Sequence, residues 1–201
     1  MIFNKQTKIE NRNQQKLNSE KGFTVLETLV AIAVLILSLT AAFSVAQQGL
    51  SLSISSRDEV TAYFLAQEAV EVIRNVRDEN SLASQYWLAG ISAQGTDPCY
   101  FGNYCAVDSP NQNYMVSCGL SPQNCPVLKQ DKQTGSSTFG MYGINPSATV
   151  GWTPTVFRRE LLLKQIPGTS DEIALTVTIY WTKGDNTRSF VVHENLFNWQ
   201  R

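Results

Sequence analysis

Between residues 28 and 56 the chain contains no Asp, Glu, Lys, Arg or His, and no proline occurs before Pro98. The first absence excludes an ordinary surface helix, which needs a charged face. The second removes the residue that most reliably ends a helix. Histidine is almost missing too. With His193 alone, any Ser-His-Asp or Cys-His constellation would have to use that imidazole, and no serine stands in a Gly-x-Ser-x-Gly elbow. The alternation of its segment puts His193 opposite Val192, on a half-exposed surface. The twelve glycines are dispersed and form no phosphate cradle. A net charge of −1 leaves no reason to expect nucleic acid as a partner. The adjacent carboxylates Asp78-Glu79 and Asp171-Glu172 fall at element ends, where turns and caps account for them. No enzyme, cofactor or metal is expected.

What the chain does have is a long apolar run, almost unbroken over residues 29–46. As helix, residues 25–46 cover roughly 33 Å, enough to cross a bilayer core. One carboxylate, Glu27, sits at the start of this run. An acid in hydrocarbon costs on the order of 2.5–3.5 kcal/mol on insertion scales. Glu27 either snorkels into the headgroup boundary or has a partner. A cut after Gly22 would create that partner, because the new amine of Phe23 would lie four residues before Glu27. An ammonium on one helix would then neutralise Glu27 of its neighbour and set how far two copies slide.

Lys21-Gly22-Phe23-Thr24-Val25-Leu26-Glu27 followed by an apolar helix resembles the cleavage and methylation signature of type IV prepilins and type II secretion pseudopilins. The resemblance implies that Gly22 precedes the bond cut by prepilin peptidase. It also implies that Phe23 becomes the N-methylated first residue and that Glu27 is the assembly carboxylate. Residues 1–22 would be a leader removed on the cytoplasmic side. In that leader Lys5, Lys8, Arg12, Lys16 and Lys21 oppose Glu10 and Glu20, a balance of +3, which holds it inside by the positive-inside rule. The implied partners are the membrane, other pilin subunits through helix–helix packing, and an ATPase-driven assembly machine. The implied location is the inner or cytoplasmic membrane, then an extracellular or periplasmic filament. A pilus, a secretion pseudopilus and a DNA-uptake apparatus all fit. Leu65-Ala66-Gln67-Glu68 and Ile73-Arg74-Asn75-Val76-Arg77-Asp78 are more similar to minor pilins than to major ones.

Beyond the membrane run a second pattern emerges. Ala62, Leu65, Ala66, Ala69, Val72, Ile73 and Val76 share one side of a 3.6-residue helix, with Glu68, Glu71, Arg74, Asn75 and Asp78 opposite. This predicts one helix over residues 23–80 whose second half covers a sheet, leaving Val60 and Phe64 either to a neighbouring subunit or on a partly covered surface. Residues 80–113 read as loop. Their aromatics Tyr86, Trp87, Tyr100, Phe101 and Tyr104 suit a minor core or a contact surface. Strands are expected at 114–118, around Val127-Leu128 and at 155–166, with a polar loop at 129–138. The strongest strand signal is Ile173, Leu175, Val177, Ile179 and Trp181 alternating with polar or small residues. Lys183-Gly184-Asp185-Asn186 then makes a turn, and Phe190, Val192 and Leu196 follow. The predicted class is α+β, with an antiparallel β head over residues 81–201 packed on the helix's second half.

Cys99, Cys105, Cys118 and Cys125 all lie beyond the helix. An even count on an exported side reads as two disulfides, with three connectivities open. Local pairing, Cys99 with Cys105 and Cys118 with Cys125, is expected because each pair brackets a Gly- or Pro-containing loop. A tetrathiolate zinc site is the alternative, at spacings wider than usual. Two further readings of the whole chain stand beside the filament subunit. One is a secreted protein cleaved at Ser44-Val45-Ala46, with Gln47 as its first residue. The other is a single-pass anchor carrying an enzyme or sensor domain.

Overall fold

The computed structural model describes residues 22–111, 114–144 and 150–199. Apart from Gly22, the leader expected at 1–22 lies outside the described residues. One helix, α1, spans Val25–Leu82, 58 residues. Among the described residues seven antiparallel strands follow: β1 Tyr104–Asp108, β2 Tyr114–Gly119, β3 Val127–Asp131, β4 Tyr142–Gly143, β5 Trp152–Gln165, β6 Glu172–Lys183 and β7 Asn186–Phe197. The chain divides into two units, Met1–Leu50 and Ser51–Arg201. The second half of α1 therefore belongs with the sheet.

In the first unit every described residue of α1 is exposed, including Leu26, Leu29, Ile32, Leu35, Leu37 and Phe43. The helix is long and apolar enough to cross a membrane. Its hydroxyls do not interrupt the apolar character. Ser38 donates to Leu35 O, Thr40 to Ile36 O and Ser44 to Thr40 O, each within 3.0 Å. Such back-bonding satisfies a hydroxyl without water.

In the second unit β5 is the spine. One edge pairs with β6 from Phe157 to Gln165, and β6 pairs with β7. The other edge is shared: β3 pairs with its first half, Trp152 to Arg158, and β1 with Leu161 and Leu162. β2 and β4 extend the sheet beyond β1 and β3. Alternation sends Phe157, Leu161 and Leu163 of β5 and Ile173, Leu175, Val177, Ile179 and Trp181 of β6 into the core. They meet the helical stripe, in which Ala62, Leu65, Ala66, Ala69, Val72 and Ile73 are buried. The alanines let helix and sheet approach closely, and each fully buried Leu or Ile contributes roughly 1.5–3 kcal/mol. Val70 joins the stripe, while Val76 is only partly buried. Val60 and Phe64 are exposed.

β6 and β7 are joined by the two residues Gly184 and Asp185, with Lys183 paired to Asn186. Gly184 has φ +60°, the left-handed backbone that a two-residue hairpin needs and glycine supplies.

β7 runs beside α1 in the same direction. Arg188 bonds Ser55, Phe190 packs edge-on to Tyr63, Arg74 pairs with Glu194 at 2.6 Å, and Trp199 Nε1 donates to Asp78 at 3.0 Å. The spacings match: from Ser55 to Asp78 a helix advances about 35 Å, and from Arg188 to Trp199 a strand advances about 36 Å. Arg74 and Asp78, expected on the solvent side, therefore fasten the helix to the last strand.

Two expectations need correction. Residues 80–113 are not all loop, because β1 lies in the middle of the sheet between β2 and β5. Its Cys105, Ala106, Val107 and Asp108 are all buried, so it shows no alternation to read. The polar loop expected at 129–138 also begins later, since β3 continues to Asp131. The helix runs two residues past its expected end and stops in a Schellman motif. Gln85 N donates to Asn80 O and Ser84 N to Ser81 O, with Ser84 itself left-handed at φ +56°. The following turn plugs the core with Trp87, Leu88 and Ile91. It is held by Asn80 Nδ2, which donates to Ala89 O at 2.8 Å.

Candidate functional site

The residues that the sequence singles out cluster at the start of α1. Gly22, Phe23 and Thr24 precede the helix and Glu27 sits in its first turn. Thr24 is the N-cap. Its Oγ1 accepts the Glu27 backbone N–H at 3.2 Å, and its carbonyl accepts from Thr28 N at 3.1 Å. Thr24-Val25-Leu26-Glu27 has the spacing of a capping box, with Glu27 at the third helical position. A carboxylate there also faces the positive end of the helix dipole. Glu27 thus has a local reason to be acidic that needs no second chain. That signal was legible in the sequence as Thr-x-x-Glu.

Phe23 is 78% exposed. A Cβ added at Gly22 would meet nothing within 4 Å, and Gly22 has no positive φ. The folded chain makes no demand for glycine at this position. A requirement for Gly22, if present, comes from something that reads the segment.

In the second unit the cysteines form two disulfides, Cys99 with Cys105 and Cys118 with Cys125. The first lies wholly in the core, and the second ties down the loop between β2 and β3. His193 is exposed on β7, its Nδ1 3.0 Å from Thr176 Oγ1. Trp87 is core, whereas Tyr86 and Tyr100 are exposed. Asp78 is held below the ordinary carboxylate range, first by its hydrogen bond from Arg77 and also by that from Trp199. Among the described residues no group of three or more His, Cys, Asp or Glu is arranged to hold a metal.

The sequence reading overlooked two buried charges on β5. Arg159 is fully buried on the core side. Its Nη1 donates to Glu68 Oε2 at 2.9 Å and to Leu65 O at 3.2 Å, and its Nη2 to Val107 O at 2.7 Å. Burial pushes the guanidinium pKa down from its ordinary value, and Glu68 opposes that. Glu160, next along the strand, is only 4% exposed on the opposite face. Burial pushes its carboxyl up to about 7, against the pull of Arg158.

Comparison with family models, with curated proteins and with solved structures finds no match for this chain.

Proposed function

We propose that this chain is a prepilin-like structural subunit, cut between Gly22 and Phe23 by a prepilin peptidase and assembled into a filament through α1. A minor subunit of a type IV pilus is the preferred form, with a secretion or DNA-uptake pseudopilin as the variant. The supporting observation is the first half of α1: apolar on every side, wholly exposed, with its one acid at the head. Such a surface has to be covered by lipid or by other apolar helices. Glu27 suits both stages. Near the headgroups it caps its own helix, and in a filament it meets the Phe23 ammonium of a neighbour. The continuity of α1 through Ser44-Val45-Ala46 to Leu82 supports this reading over signal-peptide cleavage, which would cut the helix in two.

Glu27→Gln separates the two roles of Glu27. Glutamine serves a capping box as well as glutamate does, so a purely local role predicts normal filament incorporation. The assembly role predicts normal cleavage but loss of incorporation, because the charge is gone. The mature N-terminus, read by mass spectrometry from native cells, is expected to be methylated Phe23. A chain beginning at Gln47, or retaining its first 22 residues, would refute the proposal.

A further inference from the structure

Where β3 and β1 divide the edge of β5 between them, neither pairs with Glu160: β3 stops at Arg158 and β1 starts at Leu161. A half-open cavity of about 390 Å³ lies there on the sheet face away from α1, within the size range of small-ligand sites. The disulfide-tied loop supplies Pro122 and Gln123 to its wall, and β6 supplies Tyr180. Arg158 and Glu160 both line it. They are two apart on one strand, so they share a face about 6.6 Å from each other along the chain. Opposite charges so placed would ordinarily join. Among the described residues they form no ion pair, Glu160 accepts no hydrogen bond, and the buried Arg158 Nε has no acceptor. A buried glutamate and a half-buried arginine that make no bond to each other thus line one space.

We propose that this cavity binds a small zwitterion of the free α-amino acid class, its ammonium on Glu160 and its carboxylate on Arg158. The alternatives fit less well. A phosphate would be repelled by Glu160. A divalent cation wants several oxygen ligands and would be repelled by Arg158. A neutral sugar would leave both charges uncompensated, and Tyr180 is the one aromatic wall on which it could stack. Val127 and Val156 favour a ligand with a modest apolar side chain. The inference does not depend on the filament reading.

The proton inventory gives a signature. The charged and titratable groups around Glu160 are Arg158 on its own strand, Tyr180 from β6 and Tyr104 from β1 beyond it. Burial raises the Tyr180 hydroxyl above its ordinary value, so Glu160, pushed up to about 7, is the group that changes charge near neutrality. The empty site holds that carboxyl partly protonated, and an arriving ammonium expels the proton. Affinity should therefore rise about tenfold between pH 6 and pH 8.

The test is calorimetric titration of the full chain in detergent micelles with the free L-amino acids. Matched alkylamines, matched carboxylic acids and glucose serve as controls. Saturable binding of an amino acid, at least tenfold tighter than either single-charge analogue and tightening with pH, is the expected result. Glu160→Gln should abolish the pH dependence and Arg158→Lys should weaken binding at least fivefold, with both disulfides intact. Glucose binding in preference, equal binding of amine or acid alone, or no binding of any probe at millimolar concentration would overturn the proposal. The probe panel and pH series on the unaltered chain decide the matter even if a variant fails to fold.

Discussion

Arg159 and Glu68 are 91 residues apart in the chain, and 2.9 Å separates Nη1 from Oε2 in the fold. The bond joins the spine of the sheet to the helix through a fully buried guanidinium. Breaking a buried pair costs about 3–5 kcal/mol when the remaining charge is stranded. Arg159 would keep two carbonyl acceptors and the Glu68 side chain is 35% exposed, which softens the loss. Glu68→Ala is expected to destabilise the second unit by about 2 kcal/mol. Glu68→Leu combined with Arg159→Met should recover more than half of that. Urea unfolding followed by tryptophan fluorescence measures both.

Glu160 predicts a stability change with pH. Its carboxyl is raised in the folded state to about 7, above the roughly 4.3 of an exposed glutamate. The folded state therefore binds the proton more tightly than the unfolded one. That contribution is complete below about pH 4 and is lost as pH rises through 7. Glu160→Gln, which mimics the neutral acid, should be indistinguishable from the parent at pH 4. At pH 8 it should be more stable by up to about 3–4 kcal/mol. A difference in urea midpoints that stayed constant across this window would contradict it.

Ser84 closes α1 in a left-handed conformation that costs a non-glycine residue about 1 kcal/mol. Ser84→Gly is expected to raise stability by about 0.5–1 kcal/mol. Ser84→Val should lower it by a similar or larger amount, because β-branched side chains tolerate this backbone least.

The loop bridged by Cys118 and Cys125 is short, so chain entropy predicts a modest effect. Replacing both with serine should cost about 2–3 kcal/mol. Because Pro122 and Gln123 sit in that loop and wall the cavity, the same variant should also loosen any ligand held there. Thermal unfolding with and without the best-binding amino acid reads both effects.

Residue order by itself determined the long helix, its apolar first half, the amphipathic second half and the β6–β7 hairpin. Each is either periodic or unbroken in its apolar character over a dozen residues or more, and such patterns survive without knowledge of neighbours. The helix was expected from residue 23 and starts at Val25, although Thr24 and Glu27, three residues apart, carried the signal of the cap. Tertiary structure alone decided the rest. β1 carries five residues without alternation and is a strand because β2 and β5 flank it. Nothing in the sequence marks Arg159 for burial, and only the register of β5 turns it inward beneath Glu68. Glu160 is buried because the β2–β3 loop lies over it, at a point of β5 that β3 and β1 leave unpaired. Each of these depends on which distant segment lies alongside, and that is settled by sheet pairing and burial, which no local window contains.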